Sequence, residues 1–186
     1  MTDIWYSKFL VGETPVEWLN SLGTSVAAAL QEDSSCTEPA VLEVGAKIVG
    51  PVAFGKNCIV GHGALIVGPA IFGDDCVIGH ASEVARSIFG NNSRAAHFNY
   101  VGDSVLGSNV NLGAGAKLAN LRFDKKEIRG CEKLGAILGD NVQIGCNAVL
   151  DPGVEIESGV WFAGAHVPAS DAPYTRETIK KYFFND

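Results

Sequence analysis

The chain has 186 residues, 47% of them hydrophobic and 19% charged, with a formal net charge of -7. That length and balance describe one soluble domain with a sizeable core, without a divided linker and without an apolar run able to cross a bilayer. The acidic balance and the absence of a basic run exclude a nucleic-acid or acidic-lipid surface, and the start Met1-Thr2-Asp3-Ile4-Trp5-Tyr6 lacks the basic and apolar segments of a secretory signal, which points to the cytoplasm.

The first predicted element is a helix. Thr14-Pro15-Val16-Glu17 has the form of a capping box with proline at the first helical position, and the chain stays helix-permissive to about Gln31. Residues 1–40 are expected to cap the N-terminal end of the repeat region. Beyond them a period of six takes over: Leu42, Ile48, Phe54, Val60, Ile66, Phe72, Ile78 and Val84 keep one phase. Leu106, Leu112 and Leu118 form a second series, and Leu138, Ile144, Leu150, Ile156 and Phe162 a third. One phase slip precedes His97, one comes after it, and an insertion spans 119–137.

Four positions after each large residue comes a small or compact one, such as Ala46, Val52, Cys58, Ala64, Ala70 and Cys76, and the position directly after it is usually glycine. Three hexapeptides make one triangular coil, and stacking pairs each short strand with its copies about 4.8 Å above and below. The expected fold class is therefore all-β, a left-handed parallel β-helix over residues 41–168. Both columns face inward, and glycine lets the backbone turn sharply. Residues 169–186 are expected to form a tail with a short helix from Thr175 to Phe183. Cys36, Cys58, Cys76, Cys131 and Cys146 contain no CxxC pair and read as reduced thiols, not as a disulfide framework or a zinc finger.

The repeat alone is a scaffold, so function must lie in departures from it. His62, His80 and His97 each stand two places after an inward position and line one edge of the coil. A corner histidine is ordinarily a solvated turn residue, and His62 and His80 are read so. His97 differs through its neighbours. The stretch His97-Phe98-Asn99-Tyr100-Val101-Gly102-Asp103-Ser104, then Asn111-Leu112-Gly113-Ala114-Gly115, then Ala119-Asn120-Leu121-Arg122-Phe123-Asp124-Lys125-Lys126 closely resembles one hexapeptide family. It is the acetyltransferase domain of the bifunctional N-acetylglucosamine-1-phosphate uridylyltransferase/glucosamine-1-phosphate acetyltransferase, most closely its archaeal-type sugar-1-phosphate nucleotidylyltransferase relatives. The resemblance spans about residues 50–167, and the family's uridylyltransferase domain has no counterpart in the sequence.

The resemblance implies an acetyl-CoA-dependent N-acetyltransferase of nucleotide-sugar metabolism, acting on the amine of an amino sugar or its phosphate. His97 then matches the general base, a task for which histidine is the usual side chain, and Asn111 a further polar active-site residue. Tyr100 and Asn120 match positions that contact the amino sugar. Lys126 and Arg129 match basic positions supplied to the site, although the alternating charge of that loop equally describes a solvated face. Ala114, Cys146 and Gly164 match the lining of the acetyl-CoA groove. The family's assembly implies a homotrimer with sites between neighbours.

Two departures bear on the substrate. Val67 and Ala85 stand where the family has an arginine and a lysine for the sugar's phosphate, and neither makes a charge-assisted hydrogen bond. Arg86 is adjacent, and strand alternation points it to the other side. Two other readings compete. One is a catalytically degenerate trimeric binding protein, distinguished by failure to bind acetyl-CoA. The other is a metal enzyme resembling the γ-class carbonic anhydrases, against which stand the absence of a His-x4-His pair and the ladder-like placing of the three histidines.

Overall fold

A computed structural model describes residues 4–163 and 166–180. From residue 41 the chain winds as a parallel β-helix whose short strands fall into three sheets, one per face. The first face stacks seven strands from Val41–Leu42 to Trp161–Phe162, the second seven from Lys47–Val49 to His166–Val167, and the third six from Val52–Phe54 to Glu155–Ile156. Strands pair in parallel with their copies in the neighbouring coils.

The register turns the sixfold phase into a core. On the third face Phe54, Phe72, Phe89, Leu106, Leu138 and Ile156 stand in one line. The rings of Phe54 and Phe72 stack with centroids 5.1 Å apart, and Phe72 and Phe89 lie at 5.0 Å. The compact column is buried as well, including Val52, Cys58, Ala64, Ala70, Cys76, Val110, Ala116, Val142 and Ala148. Each large buried side chain contributes roughly 1.5–3 kcal/mol, and no coil can collect that contribution without the coils beside it. Both slips around His97 fall at the corner after the second face. There the buried hydroxyls of Ser87 and Ser104 accept hydrogen bonds from Ser104 N at 3.1 Å and Ala136 N at 3.0 Å.

The glycines after the large residues do not make the turns. Left-handed backbone occurs two positions later, at Asn57, Asp75, Asn92, Asn109 and Asn141, with φ between 55° and 60°, where asparagine and aspartate are the residues that tolerate it best. The glycines are there for close approach. A Cβ at Gly79 would lie 2.0 Å from the Ala96 carbonyl oxygen of the next coil.

The N-terminal region forms the expected capping box. Glu17 N donates to Thr14 Oγ1, and Thr14 N donates to the Glu17 carboxylate; these bonds and one from Glu13 N lower the pKa of Glu17. The helix breaks into α1 (Pro15–Asn20) and α2 (Leu22–Glu32). Its position differs from the expectation. Leu22, Val26 and Ala29 pack along the outside of the third face, on Ala53, Ile71, Ile88 and Val105, because the outward positions of that face are apolar. Trp5 Nε1 donates to the Phe72 carbonyl at 3.1 Å and Tyr6 Oη to the Phe89 carbonyl at 2.6 Å. The first coil is left open, with Val41, Leu42, Val44 and Val49 exposed.

The C-terminal end is covered. Tyr174 exchanges backbone hydrogen bonds with Glu155 and Glu157, and Ile179 of α3 (Arg176–Lys180) joins the core. The expected continuation of this helix to Phe183 lies outside the described residues. The insertion folds back on its own chain: Leu134 and Cys131 are buried, Ile128 lies against Gly153, and Cys131 Sγ reaches Asn20 Oδ1 of α1 at 3.5 Å. All five cysteines are free, and no helix among the described residues is long and apolar enough to cross a membrane.

Candidate functional site

The corner between the first and second faces carries most of the singled-out residues. Val60, Ile78, Ala95, Leu112, Ile144 and Phe162 are register partners along the first face. Two residues beyond each, on successive coils, come His62, His80, His97, Ala114 and Cys146. Gly164, next in that series, lies outside the described residues. His97 therefore stands one coil from Ala114 and two from Cys146, at intervals of about 4.8 Å. Cys146 is the exposed cysteine of the five.

The three histidines are not equivalent. His62 Nδ1 donates to the Val44 carbonyl and His80 Nδ1 to the His62 carbonyl at 3.0 Å. Their rings stack with centroids 5.6 Å apart, and Phe98 meets His80 edge-on at 5.0 Å. Those bonds hold Nδ1 protonated and leave Nε2 as the free nitrogen. The ring of His97 makes no hydrogen bond among the described residues and is open to solvent; its backbone N–H is held by Asn99 Oδ1 at 3.0 Å. The ladder offers no tetrahedral arrangement. Among the described residues no group of three His, Cys, Asp or Glu side chains is placed to hold a metal ion.

A second cluster forms where the second face ends. Tyr100 points outward on that face between Glu83 and Lys117, and its hydroxyl donates to Asn120 Oδ1 at 3.3 Å. Burial and the Glu83 carboxylate raise the Tyr100 pKa, so the phenol stays a donor. Asn120 Nδ2 in turn donates to Asp103 Oδ2, and Arg86 Nε and Nη2 donate to the two oxygens of Asp103 at 2.6 and 2.7 Å. The bidentate bond raises the Arg86 pKa. Sequence alternation sent Arg86 to the other side of its strand. The strand Glu83–Ala85 ends one residue earlier, and Arg86 sits at the corner with φ 46°, which turns its guanidinium into this cluster. The Arg86–Asp103 pair had no reading from the sequence; the signal for it was their shared place, 17 residues apart in consecutive coils.

The remaining candidates lie apart. Asn111 is exposed on the outside of the first face, between Arg94 and Gln143. Arg129 Nη1 donates to Glu155 Oε2 of the third face at 2.8 Å, and Lys126 is exposed on the insertion. Arg129 is thereby engaged on the third face, away from the corner that carries His97. Val67, Ala85 and Gly102 are register partners at the last strand position before the second corner.

No family model matches the chain. It is 39% identical over 94 residues to the "Bifunctional protein GlmU" of Methanocaldococcus jannaschii, covering 46% of this chain and 23% of that protein. It is 44% identical over 84 residues to the "Bifunctional sugar-1-phosphate nucleotidylyltransferase/acetyltransferase" of Sulfurisphaera tokodaii, covering 40% and 21%. The chain thus spans about a fifth of the length of the curated relatives it matches, and nearly half of it is homologous to a segment of these bifunctional proteins. The resemblance drawn from the motifs holds over that segment. Among solved structures, the acetyltransferase domain of PglB from Neisseria gonorrhoeae has the same fold, with a TM-score of 0.50 at 13% identity over 80% of this chain and 72% of that one.

Proposed function

We propose that the chain is an acetyl-CoA-dependent N-acetyltransferase of an amino-sugar acceptor, working as a homotrimer in the cytoplasm. The observation that carries this reading is the corner column. It sets a solvent-open imidazole, His97, in line with Ala114 and the exposed Cys146, at the corner that opens the face on which Tyr100 bonds Asn120. In the proposed reaction the substrate amine attacks the thioester carbonyl, His97 takes the proton that the amine loses, the C–S bond breaks, and the departing thiolate of coenzyme A receives that proton back from His97 and leaves as the thiol. Tyr100 and Asn120 orient the sugar, and Ala114 and Cys146 line the acyl donor's groove. The homology to bifunctional proteins with an acetyltransferase function supports the same chemistry.

The test is acetyl transfer from acetyl-CoA to glucosamine and to glucosamine-1-phosphate, followed as free thiol. Lack of turnover together with lack of acetyl-CoA binding by calorimetry overturns the reading and leaves a binding protein. A donor in the groove also protects Cys146. The native protein is expected to show one fast-alkylating thiol per chain, mapped to Cys146, and saturating acetyl-CoA is expected to slow it; an unchanged rate removes Cys146 from the groove.

A single chain supplies only one wall of such a groove, because Asn111 and Tyr100 face outward from different faces on either side of the His97 corner. Phe98 and Trp161 are exposed there, and Phe123 of the insertion is fully exposed, as expected of surfaces that a neighbour covers. Light scattering at micromolar concentration is expected to give three chain masses. A monomer mass would remove the second wall.

A further inference from the structure

The second corner holds a charge that the proposed reaction does not use. Arg86 and Asp103 stand on consecutive coils, both in left-handed backbone, with φ of 46° and 45°. Their bond is two-pronged, at 2.6 and 2.7 Å, and the side chains are 37% and 12% exposed. This fork is the geometry in which a guanidinium takes a carboxylate or a phosphate. The pair adjoins the acceptor residues directly, since Asp103 also receives Asn120 Nδ2 and Asn120 receives the Tyr100 hydroxyl.

Beside it runs the strip Val67, Ala85 and Gly102, which offers an anion no charge. Of the other charged groups on this face, Glu83 is negative, Lys47 stands in the first coil at the opposite end of its strand from Val49, the partner of Val67, His166 is bonded to Asp151 Oδ1 at 2.7 Å, and Lys117 Nζ turns toward the first corner, to the Gly115 carbonyl at 2.8 Å. The guanidinium bordering the strip is therefore Arg86, and its fork is already filled.

We infer that Asp103 sets the acceptor class of this site, its carboxylate occupying Arg86 in the place of a substrate phosphate, so that the site takes an amino sugar without a phosphate and rejects the phosphorylated one. This rests on the acceptor site proposed above. Asp103 acts through Arg86 and Asn120 and is a positioning residue.

Asp103→Asn isolates the effect. Asparagine has the same shape, tolerates left-handed backbone and keeps an oxygen for Asn120, while Arg86 loses the opposing charge and one prong of its two-pronged bond. Calorimetry with glucosamine-1-phosphate should then show binding about 10- to 100-fold tighter than in the unaltered chain, as one charge-assisted interaction regained implies. Adding Arg86→Ala should abolish the gain, and glucosamine, which has no anion to offer, should show no gain in either variant. Equal binding of glucosamine-1-phosphate by the unaltered chain and Asp103→Asn, or a gain that survives Arg86→Ala, overturns the inference. If Asp103→Asn does not fold, Arg86→Ala alone decides: phosphosugar binding should be unchanged, and a loss shows that Arg86 was open to phosphate throughout. The titration needs no turnover. A gain without acetyl transfer therefore overturns the function and leaves the inference standing, whereas transfer to glucosamine without the gain does the reverse.

Discussion

Replacing His97 by alanine is expected to lower turnover about 10²–10⁴-fold, the range typical for loss of a general base, while acetyl-CoA binding stays nearly intact. The amine must lose a proton as it attacks, and an imidazole nitrogen open to solvent is a base that can accept it. The ring of His97 is exposed and makes no hydrogen bond among the described residues, so its loss removes no packing and leaves no buried polar group without a partner. A fall in rate would then report chemistry. His80 is the internal control: it stands one coil away, and its Nδ1 is engaged by the His62 carbonyl at 3.0 Å. Steady-state kinetics on both alanine variants decides the matter. Undiminished turnover in His97→Ala retires the assignment, and a loss confined to His80→Ala moves the base one coil toward the N-terminus.

The second large effect is on stability. Phe72→Ala is expected to cost about 3–5 kcal/mol, because Phe72 is fully buried between the rings of Phe54 and Phe89. Its backbone carbonyl also receives Trp5 Nε1, so a shift of the strand would loosen the N-terminal segment too. Neighbouring coils cannot close the gap easily, since glycines such as Gly79 already hold successive coils at backbone contact. Urea unfolding of the two proteins measures the difference. A cost under about 1 kcal/mol would mean that the flanking rings collapse into the cavity.

Much of the fold was legible because the period of six is set by a geometric constraint: only residues returning to the same angular position in a coil can share a buried line. Phe54, Phe72 and Ile78 were placed inward on that ground and are buried. The helix α2 was legible as a helix from Thr14 and Glu17, but its place was not. Ala53, Ile71, Ile88 and Val105 point outward and form its seat, and the phase of six, which marks only inward positions, carries no sign of them. The glycine misreading has a similar origin. Composition shows that a position needs glycine, and the reason, a turn or a close approach, depends on a chain segment one coil away. At the site, the histidine edge came from spacing alone. The Arg86–Asp103 pair did not, because alternation along a strand fails at the residue where the strand stops.

The open first coil makes the molecule directional. Its C-terminal end is finished by Tyr174 and Ile179, whereas the strands beginning at Val41, Lys47 and Val52 each lie at the edge of their sheet. An edge of this kind is a template for any extended chain of matching pitch, another copy included. Glu43 and Lys47 set charges of both signs in this coil, and Pro51, next to its last strand, has no amide proton to offer. These are the means by which natural sheets keep an exposed edge from growing. The scaffold that makes one coil recognise the next would otherwise invite one molecule to add to another, and the charges and the proline of the first turn work against such end-to-end growth.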